Sequence, residues 1–375
     1  MNIELPISKS IANRWLMLQA IHGDELMPVS DSMPDDVQIL HHALTTLHHS
    51  TQRYTTLNLS NCGTAMRFLT AYAAQLENRV TILDGVARMR YRPIGQLVDA
   101  LREIGAQIEY LGEEGFPPLR IKGCILDKHR IVTINHPQST QYISALLLIG
   151  ANVITNSTSP YINLTHSLIE NYLQRSDLQG IDARSTAQRS TASVANEQER
   201  DWSSAAFWYE YVALHGGEIT LPGLYRDSLQ GDKVVADIFA HLGVHTEYTA
   251  EGITLSPHRL IASSPFASRL SPLASNILEQ DFGSCPDLYP AVALTCERLG
   301  IELHATGVES LPLKESDRLR AVREHRTDAD HRMAMALLVA GYEVDDTACI
   351  SKSYPHFLEQ FSRLPSNLSP LTSHL

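Results

Sequence analysis

Cysteine is scarce in this chain, and basic charge is outnumbered. The five cysteines in 375 residues (Cys62, Cys124, Cys285, Cys296, Cys349) include no CxxC pair. An odd, scattered set supplies no disulfide framework and no zinc spacing, and it fits a reducing compartment. Lys and Arg number 30 against 42 Asp and Glu, a formal net charge of −12. That balance argues against nucleic acid as the main partner. No apolar run is long enough to span a bilayer. The N-terminus lacks the basic-then-apolar pattern of a secretory signal. A soluble cytoplasmic protein is therefore expected, and the length suits two domains with full cores.

In an acidic chain, gathered cations are informative. Leu311-Pro312-Leu313-Lys314-Glu315-Ser316-Asp317-Arg318 leads from a short apolar run into a helix pattern. Lys314 and Arg318 are four apart, a spacing that predicts one shared face at a helix start. Helix starts present N–H groups and a positive dipole end to anions. Glu315, between two cations, is a candidate proton carrier. The bland alternative for this stretch alone is a capped surface helix of mixed charge. The arrangement recurs, however. Lys9, Ser10 and Arg14 crowd the start of a helix marked by Ile11, Trp15 and Leu18. Gly63 and Arg67 open another after the turn Asn61-Cys62. Arg88, Arg90 and Arg92 precede Pro93, a good first helical residue. Ser139-Thr140-Gln141 stands before an almost wholly apolar helix, which should be buried. Asp201-Trp202-Ser203-Ser204, Cys285-Pro286-Asp287, Asp330-His331-Arg332 and Lys352-Ser353-Tyr354 complete the series.

Other features have plainer readings. His41, His42, His48 and His49 lie on one predicted helix and could ligate a metal, but no carboxylate-plus-His spacing completes a site, so a solvated face is the better reading. Cys62 could be a thiol activated at a helix start; a small buried residue is the simpler role. Residues 3–7 predict a short strand. Ile104–Tyr110 parallels Leu242–Tyr248, each following a helix and preceding a turn, which suggests repeated βαβ-type units. A boundary is expected near His215-Gly216-Gly217. Residues 183–200, rich in Ser, Thr, Ala and Gln, predict a loop or irregular insertion.

Taken together and in order, these motifs resemble the 5-enolpyruvylshikimate-3-phosphate (EPSP) synthase family. The resemblance runs from residue 5 to about residue 360. It rests on Ser8-Lys9-Ser10…Arg14, Asn61–Arg67, Arg88–Ile94, Ser139–Gln141, Asp201–Ser204, Pro286-Asp287, Lys314–Arg318, Asp330–Met335 and Lys352–Pro355. It implies an α/β fold of two domains, an inside-out α/β barrel of βαβαββ units whose helix N-termini face a cleft. Residues 9–215 would form the first domain and residues 1–8 with 216–375 the second. It implies transfer of the enolpyruvyl group of phosphoenolpyruvate to the 5-hydroxyl of shikimate 3-phosphate, in a monomer with no metal or organic cofactor. Lys9, Ser10, Arg14, Ser139, Thr140, Gln141 and Tyr161 would hold shikimate 3-phosphate. Asn61, Gly63, Arg92, Lys314, Arg318, Arg332 and Lys352 would line the substrates, the arginines and lysines on phosphoenolpyruvate. Asp287 and Glu315 would transfer protons, with Lys9 and Lys314 beside them.

The chain departs from the family pattern after His325. There the family continues into a turn and a β-hairpin, whereas Arg326-Thr327-Asp328-Ala329 leads straight to Asp330. The last repeat therefore reads as cut short, and a relative that binds shikimate 3-phosphate without turnover is the alternative from another class. The related UDP-N-acetylglucosamine enolpyruvyl transferase would have Lys-Asn where Lys9-Ser10 stands, and a reactive cysteine in a mobile loop.

Overall fold

The computed structural model describes residues 1–50, 52–178, 199–258 and 276–364. The chain divides into two compact units. The first takes Lys9–Asp31 and Asp35–Glu197, and the second takes Met1–Ser8, Ser32–Pro34 and Gln198–Leu375, each as far as it is described. The predicted insertion at 183–200 lies outside the described residues except for Glu199 and Arg200.

The first unit runs α1 (Lys9–His22), α2 (Asp35–His49), β1 (Tyr54–Asn58), α3 (Gly63–Ala74), β2 (Val80–Asp84), α4 (Gly95–Glu103), β3 (Gln107–Tyr110), β4 (Leu119–Lys122), β5 (Ile131–Thr133), α5 (Thr140–Leu148), β6 (Asn152–Ile154) and α6 (Pro160–Leu178). The segment from β1 to β4 is one βαβαββ unit. β1 pairs parallel with β2, β4 runs antiparallel to β2, and β3 closes the order β1-β2-β4-β3. The strands alternate buried and exposed residues, as in β4, where Leu119 and Ile121 turn inward, the period of a half-buried strand. The α3 helix is buried along its whole length, as its run of Ala, Met, Phe and Leu requires. A second parallel pair, β5 with β6, flanks the apolar α5.

The second unit runs α7 (Trp202–His215), β7 (Ile219–Pro222), α8 (Val235–His241), β8 (Val244–Tyr248), β9 (Gly252–Pro257), β10 (Ile277–Asp281), α9 (Tyr289–Leu299), β11 (Glu302–Thr306), α10 (Arg318–Glu324), α11 (His331–Val339) and α12 (Phe357–Ser362). β7, β9 and β8 form an antiparallel sheet in that order, and β10 pairs parallel with β11. Its core gathers around α7, with Phe357 lying 5.6 Å from Trp208, centroid to centroid. Among the described residues the sheets have four, three, two and two strands, a mixed helix-and-sheet fold.

The matched stretches behave as repeats. Both Gly105 and Gly243 follow a helix with positive φ, 102° and 88°, and lead into strands that pair antiparallel with their successors. Glycine suits this helix-terminating turn because it lacks a Cβ.

Two expectations need correction. Residues 3–7 form no continuous strand. Isolated bridges flank the segment, Asn2 with Thr220 and Ile7 with Arg200, and hydrogen bonds from Gln360 and Tyr354 to the Glu4 carbonyl occupy its middle. The boundary also lies earlier than His215. α7 belongs to the second unit, since every residue from Trp202 to Val212 is buried and its contacts are to α8, α9, α11 and β9.

Gly123 lies where an added Cβ would come within 1.8 Å of the Leu76 carbonyl oxygen. That carbonyl is backbone and cannot swing away. Gly123→Ala is expected to destabilise the first unit by about 1–3 kcal/mol or more, read as a lower urea midpoint against the parent protein.

Candidate active site

In the first unit, the three crossover-helix starts carry the expected residues. Lys9 opens α1, and its Nζ lies 3.1 Å from Asp36 Oδ2 on the first turn of α2. Cys62 is the N-cap of α3. Its Sγ accepts from the Ala65 N–H at 3.4 Å and contacts the Asp36 carbonyl at 3.6 Å. The side chain is fully buried, so it serves as a cap rather than as an exposed nucleophile. Gly63 follows. A Cβ there would lie 2.6 Å from both Arg67 Nη1 and Arg92 Nη1, so two guanidinium groups close over this glycine.

Arg67 donates to Gln141 Oε1 at 2.9 Å, and Gln141 Nε2 donates to Thr64 Oγ1 at 2.8 Å. The start of α3 is thereby joined to the start of α5, where Ser139 caps the helix by accepting from the Gln141 N–H. Thr140 is the first residue of that helix. Arg92 donates to the Asn61 carbonyl at 3.5 Å. Of the three clustered arginines, Arg92 is buried, whereas Arg90 is exposed and forms a bidentate pair with Asp84. Asp84 is held below its usual carboxylate range by the Arg90 and Gly85 hydrogen bonds, which outweigh the opposing effect of partial burial.

Arg14 is nearly inaccessible. It donates to Thr165 Oγ1 at 2.8 Å, Ser144 Oγ at 2.9 Å and the Ser10 carbonyl at 2.9 Å, and it lies 5.9 Å from the Tyr161 ring. Burial brings its pKa down to about 10, with Tyr161 acting the other way. Its partners are neutral oxygens, so the charge remains uncompensated within this cluster, a favourable setting for an anion.

The second unit holds the densest charge. Asp287 precedes α9 and faces three cations: Lys314 Nζ at 3.4 Å, Arg318 Nη1 at 2.7 Å and Arg332 Nη2 at 2.9 Å. Glu315 lies 3.2 Å from Arg318 Nη2 and 3.9 Å from Lys352 Nζ. Arg318 is 1% exposed. Burial alone would lower its pKa, but Asp330, Asp287 and Glu315 together raise it. Arg332 is raised in the same manner, against its burial, chiefly by Asp287. Asp232, also buried, is pushed up to about 6 by burial and by the Asp287 charge, with Arg332 and a Ser203 hydrogen bond pulling it down.

The shared-face reading of Lys314 and Arg318 is corrected by the backbone. α10 begins only at Arg318, capped by Asp317, and Lys314 ends a short 3-10 turn (Leu311–Leu313) in extended conformation. The two cations converge through Asp287, not through helical spacing. Among the described residues no group of His, Cys, Asp and Glu is arranged to hold a metal, and the histidines of α2 remain a helix face.

Three contributors are given no site role by the sequence reading. Arg67 was visible one turn beyond Gly63. Asp36 sat in the first turn of its helix, and Asp330 preceded the Arg332 motif. None of the three could be assigned a partner from local spacing.

Comparison with known proteins agrees with this constellation. The family model of EPSP synthase (3-phosphoshikimate 1-carboxyvinyltransferase) matches residues 1–326 and 323–361. The two segments meet just where the last repeat reads as cut short. A 3-phosphoshikimate 1-carboxyvinyltransferase of Bacteroides fragilis is 35% identical, covering 96% of this chain and 94% of its own length. That alignment spans 415 positions, more than the chain's 375 residues, so the relative carries segments absent here. A namesake from Vibrio cholerae is 30% identical, with 96% of each chain covered. The solved EPSP synthase of Acinetobacter baumannii shares the fold, with a TM-score of 0.61 at 19% identity over 97% of this chain and 95% of its own. On sequence and fold alike, the chain belongs to the EPSP synthase family.

Proposed function

We propose that this protein transfers the enolpyruvyl group of phosphoenolpyruvate to the 5-hydroxyl of shikimate 3-phosphate and releases phosphate. The observation that carries the reading is the second-unit cluster, where Lys314, Arg318 and Arg332 surround Asp287, and Glu315 lies beside Arg318 and Lys352. The reaction needs both halves of that cluster. Planar arginines match the carboxylate and phosphate of phosphoenolpyruvate bidentately, and preorganised cations stabilise charge that develops on the adduct. Arg332 Nη1 is buried with no hydrogen-bond partner among the described residues, a donor ready for such an anion.

The chemistry follows from the groups present. The 5-hydroxyl loses a proton as its oxygen attacks C2 of phosphoenolpyruvate, and C3 gains a proton. The resulting tetrahedral adduct then loses a C3 proton and expels phosphate. Asp287 and Glu315 are the carboxylates for these transfers, with Lys9 and Lys314 assigned to the same steps and Lys314 beside Asp287. Each positioned acid or base contributes about 10²–10⁴-fold. Lys9, Ser10, Arg14, Ser139, Thr140, Gln141 and Tyr161 take shikimate 3-phosphate, and Gly63, Arg92 and Lys352 join the phosphoenolpyruvate set, with Asn61 alongside. Arg67 belongs with them, because it shares the Gly63 cradle with Arg92. The family's inside-out barrel of βαβαββ units is the architecture we infer, supported by the intact unit from β1 to β4. A cytoplasmic monomer acting on these two small molecules completes the reading, and the free cysteines fit that compartment.

Phosphate release by the purified protein should require both substrates; release with either one omitted, or none with both present, would count against the transferase. Lys314→Ala should cut turnover about 10²-fold or more while leaving shikimate 3-phosphate affinity nearly unchanged by calorimetry. Gly63→Ala should fold normally, since the crowded atoms are flexible guanidinium ends. It should raise the KM for phosphoenolpyruvate about tenfold by displacing Arg67 and Arg92. Cys62→Ala should keep its activity.

A further inference from the structure

Asp330 carries no role in the reading above, yet it is a heavily bonded carboxylate among the cations. It is fully buried. Its Oδ2 accepts from Arg318 Nε at 2.8 Å and from the Ser316 hydroxyl at 3.1 Å. Its Oδ1 accepts from the Arg332 backbone N–H at 2.9 Å and, more weakly, from Arg318 Nη2 at 3.4 Å. The His331 ring nitrogen Nδ1 lies 3.5 Å from the same oxygen. One side chain therefore fixes the guanidinium of Arg318 and the helix start that carries Arg332.

The geometry has a second consequence. Arg318 begins α10 and Asp330 caps α11, with the rest of α10 and the shortened segment between them. The seven residues of α10 carry the chain about 10 Å away, at 1.5 Å per residue. It turns at His325 (φ 49°) and returns through Asp328 and Ala329, also at positive φ, 47° and 57°. The return is secured locally: the Arg326 N–H donates to the Ala321 carbonyl, the Asp330 N–H to the Thr327 carbonyl, and Arg320 pairs with Asp328 at 2.8 Å. The carboxylate clasps the two ends of the excursion, whatever its length.

We propose that Asp330 is the positioning residue for phosphoenolpyruvate binding, a buried clasp that sets Arg318 and Arg332 in register across the shortened segment. This rests on the assignment of those two arginines to phosphoenolpyruvate. Asp330 acts through them and touches no substrate itself.

The test is Asp330→Asn. Asparagine caps a helix as well as aspartate does, and its oxygen can still accept from the Arg332 N–H. Its amide would face the Arg318 Nε–H and the Ser316 hydroxyl as donor against donor. Fold and cap are kept while the hold on Arg318 is lost. The KM for phosphoenolpyruvate should rise about ten- to hundredfold, the range for a lost charge-assisted hydrogen bond. The KM for shikimate 3-phosphate should stay close to the parent's, while the thermal midpoint falls because the buried Arg318 loses a charged partner. A residue of purely structural importance would move both KM values together. If Asp330→Asn does not fold, Asp330→Ser, which retains a capping oxygen, is measured in its place. An unchanged KM for phosphoenolpyruvate in the folded variant overturns the proposal. So does a parallel rise for both substrates. Parent protein that releases no phosphate would instead sink the transferase reading. Calorimetric titration with phosphoenolpyruvate then tests the clasp separately, and equal affinities of parent and variant refute it.

Discussion

The buried guanidinium of Arg318 is the constraint around which the second unit is arranged. A charge removed from water costs several kcal/mol unless it is paired and hydrogen-bonded. Here Asp330, Asp287 and Glu315 all lie within ion-pair distance. Each comes from a different local element: the cap of α11, the turn before α9 and the bend before α10. Those three chain segments are fixed relative to one another because one cation needs them all. Lys314, Arg332 and Lys352 then gather on the same carboxylates. The cluster counts four cations against Asp287, Glu315 and Asp330, with Asp232 buried alongside and pushed up to about 6. In a chain of formal charge −12, four cations are gathered in one place against the overall field, an arrangement that suits a small polyanion.

The first unit meets a similar problem with different chemistry. Arg14 is as deeply buried as Arg318, yet its partners are the hydroxyls of Thr165 and Ser144 and a carbonyl. Arg67 is held by an amide oxygen. Neutral dipoles orient Arg14 without cancelling it, so its charge stays available to a ligand. Carboxylates cancel part of the charge but can themselves carry protons. The two units therefore suit different tasks. The first favours fixed recognition of an anion, and the second combines recognition with proton transfer. Lys9 is the exception in the first unit, since Asp36 pairs with it.

What the sequence made legible was local. Helix starts could be read because their caps are chemical signals close in the chain. Ser139, Asp201, Asp317 and Asp330 each accept a hydrogen bond from the N–H two or three residues on. The matched stretches at Ile104 and Leu242 could be read because a repeat needs no third dimension to be seen. The partners of the charges could not. Arg67 meets Gln141 across 74 positions, and Arg14 meets Thr165 across 151. Lys314 shows how spacing misleads. Four residues from Arg318 suggested a shared helix face, but Pro312 and the 3-10 turn keep Lys314 outside the helix, and a distant aspartate brings the pair together. The boundary was missed for a related reason. Gly216 and Gly217 mark a turn, and a turn between α7 and β7 looks locally like a turn between units.

The shortened repeat can be weighed by what its intact counterpart does. In the first unit the hairpin of β3 and β4 widens the sheet by pairing with β2. None of the residues assigned to substrate lies on those two strands. A hairpin of this kind supplies sheet and core rather than chemistry. In the second unit the chain passes from β11 through α10 to α11 with no described strand between. Compensation is visible at the site of the loss. His325 stacks on Tyr342 with ring centroids 4.0 Å apart, and both reach Glu297 at the end of α9. This aromatic and polar closure covers the end of α10, while the Asp330 clasp holds the arginines on the other side. Asp330 thus holds Arg318 and the Arg332 helix start at the two ends of the shortened segment, and Asp287 joins the same two arginines.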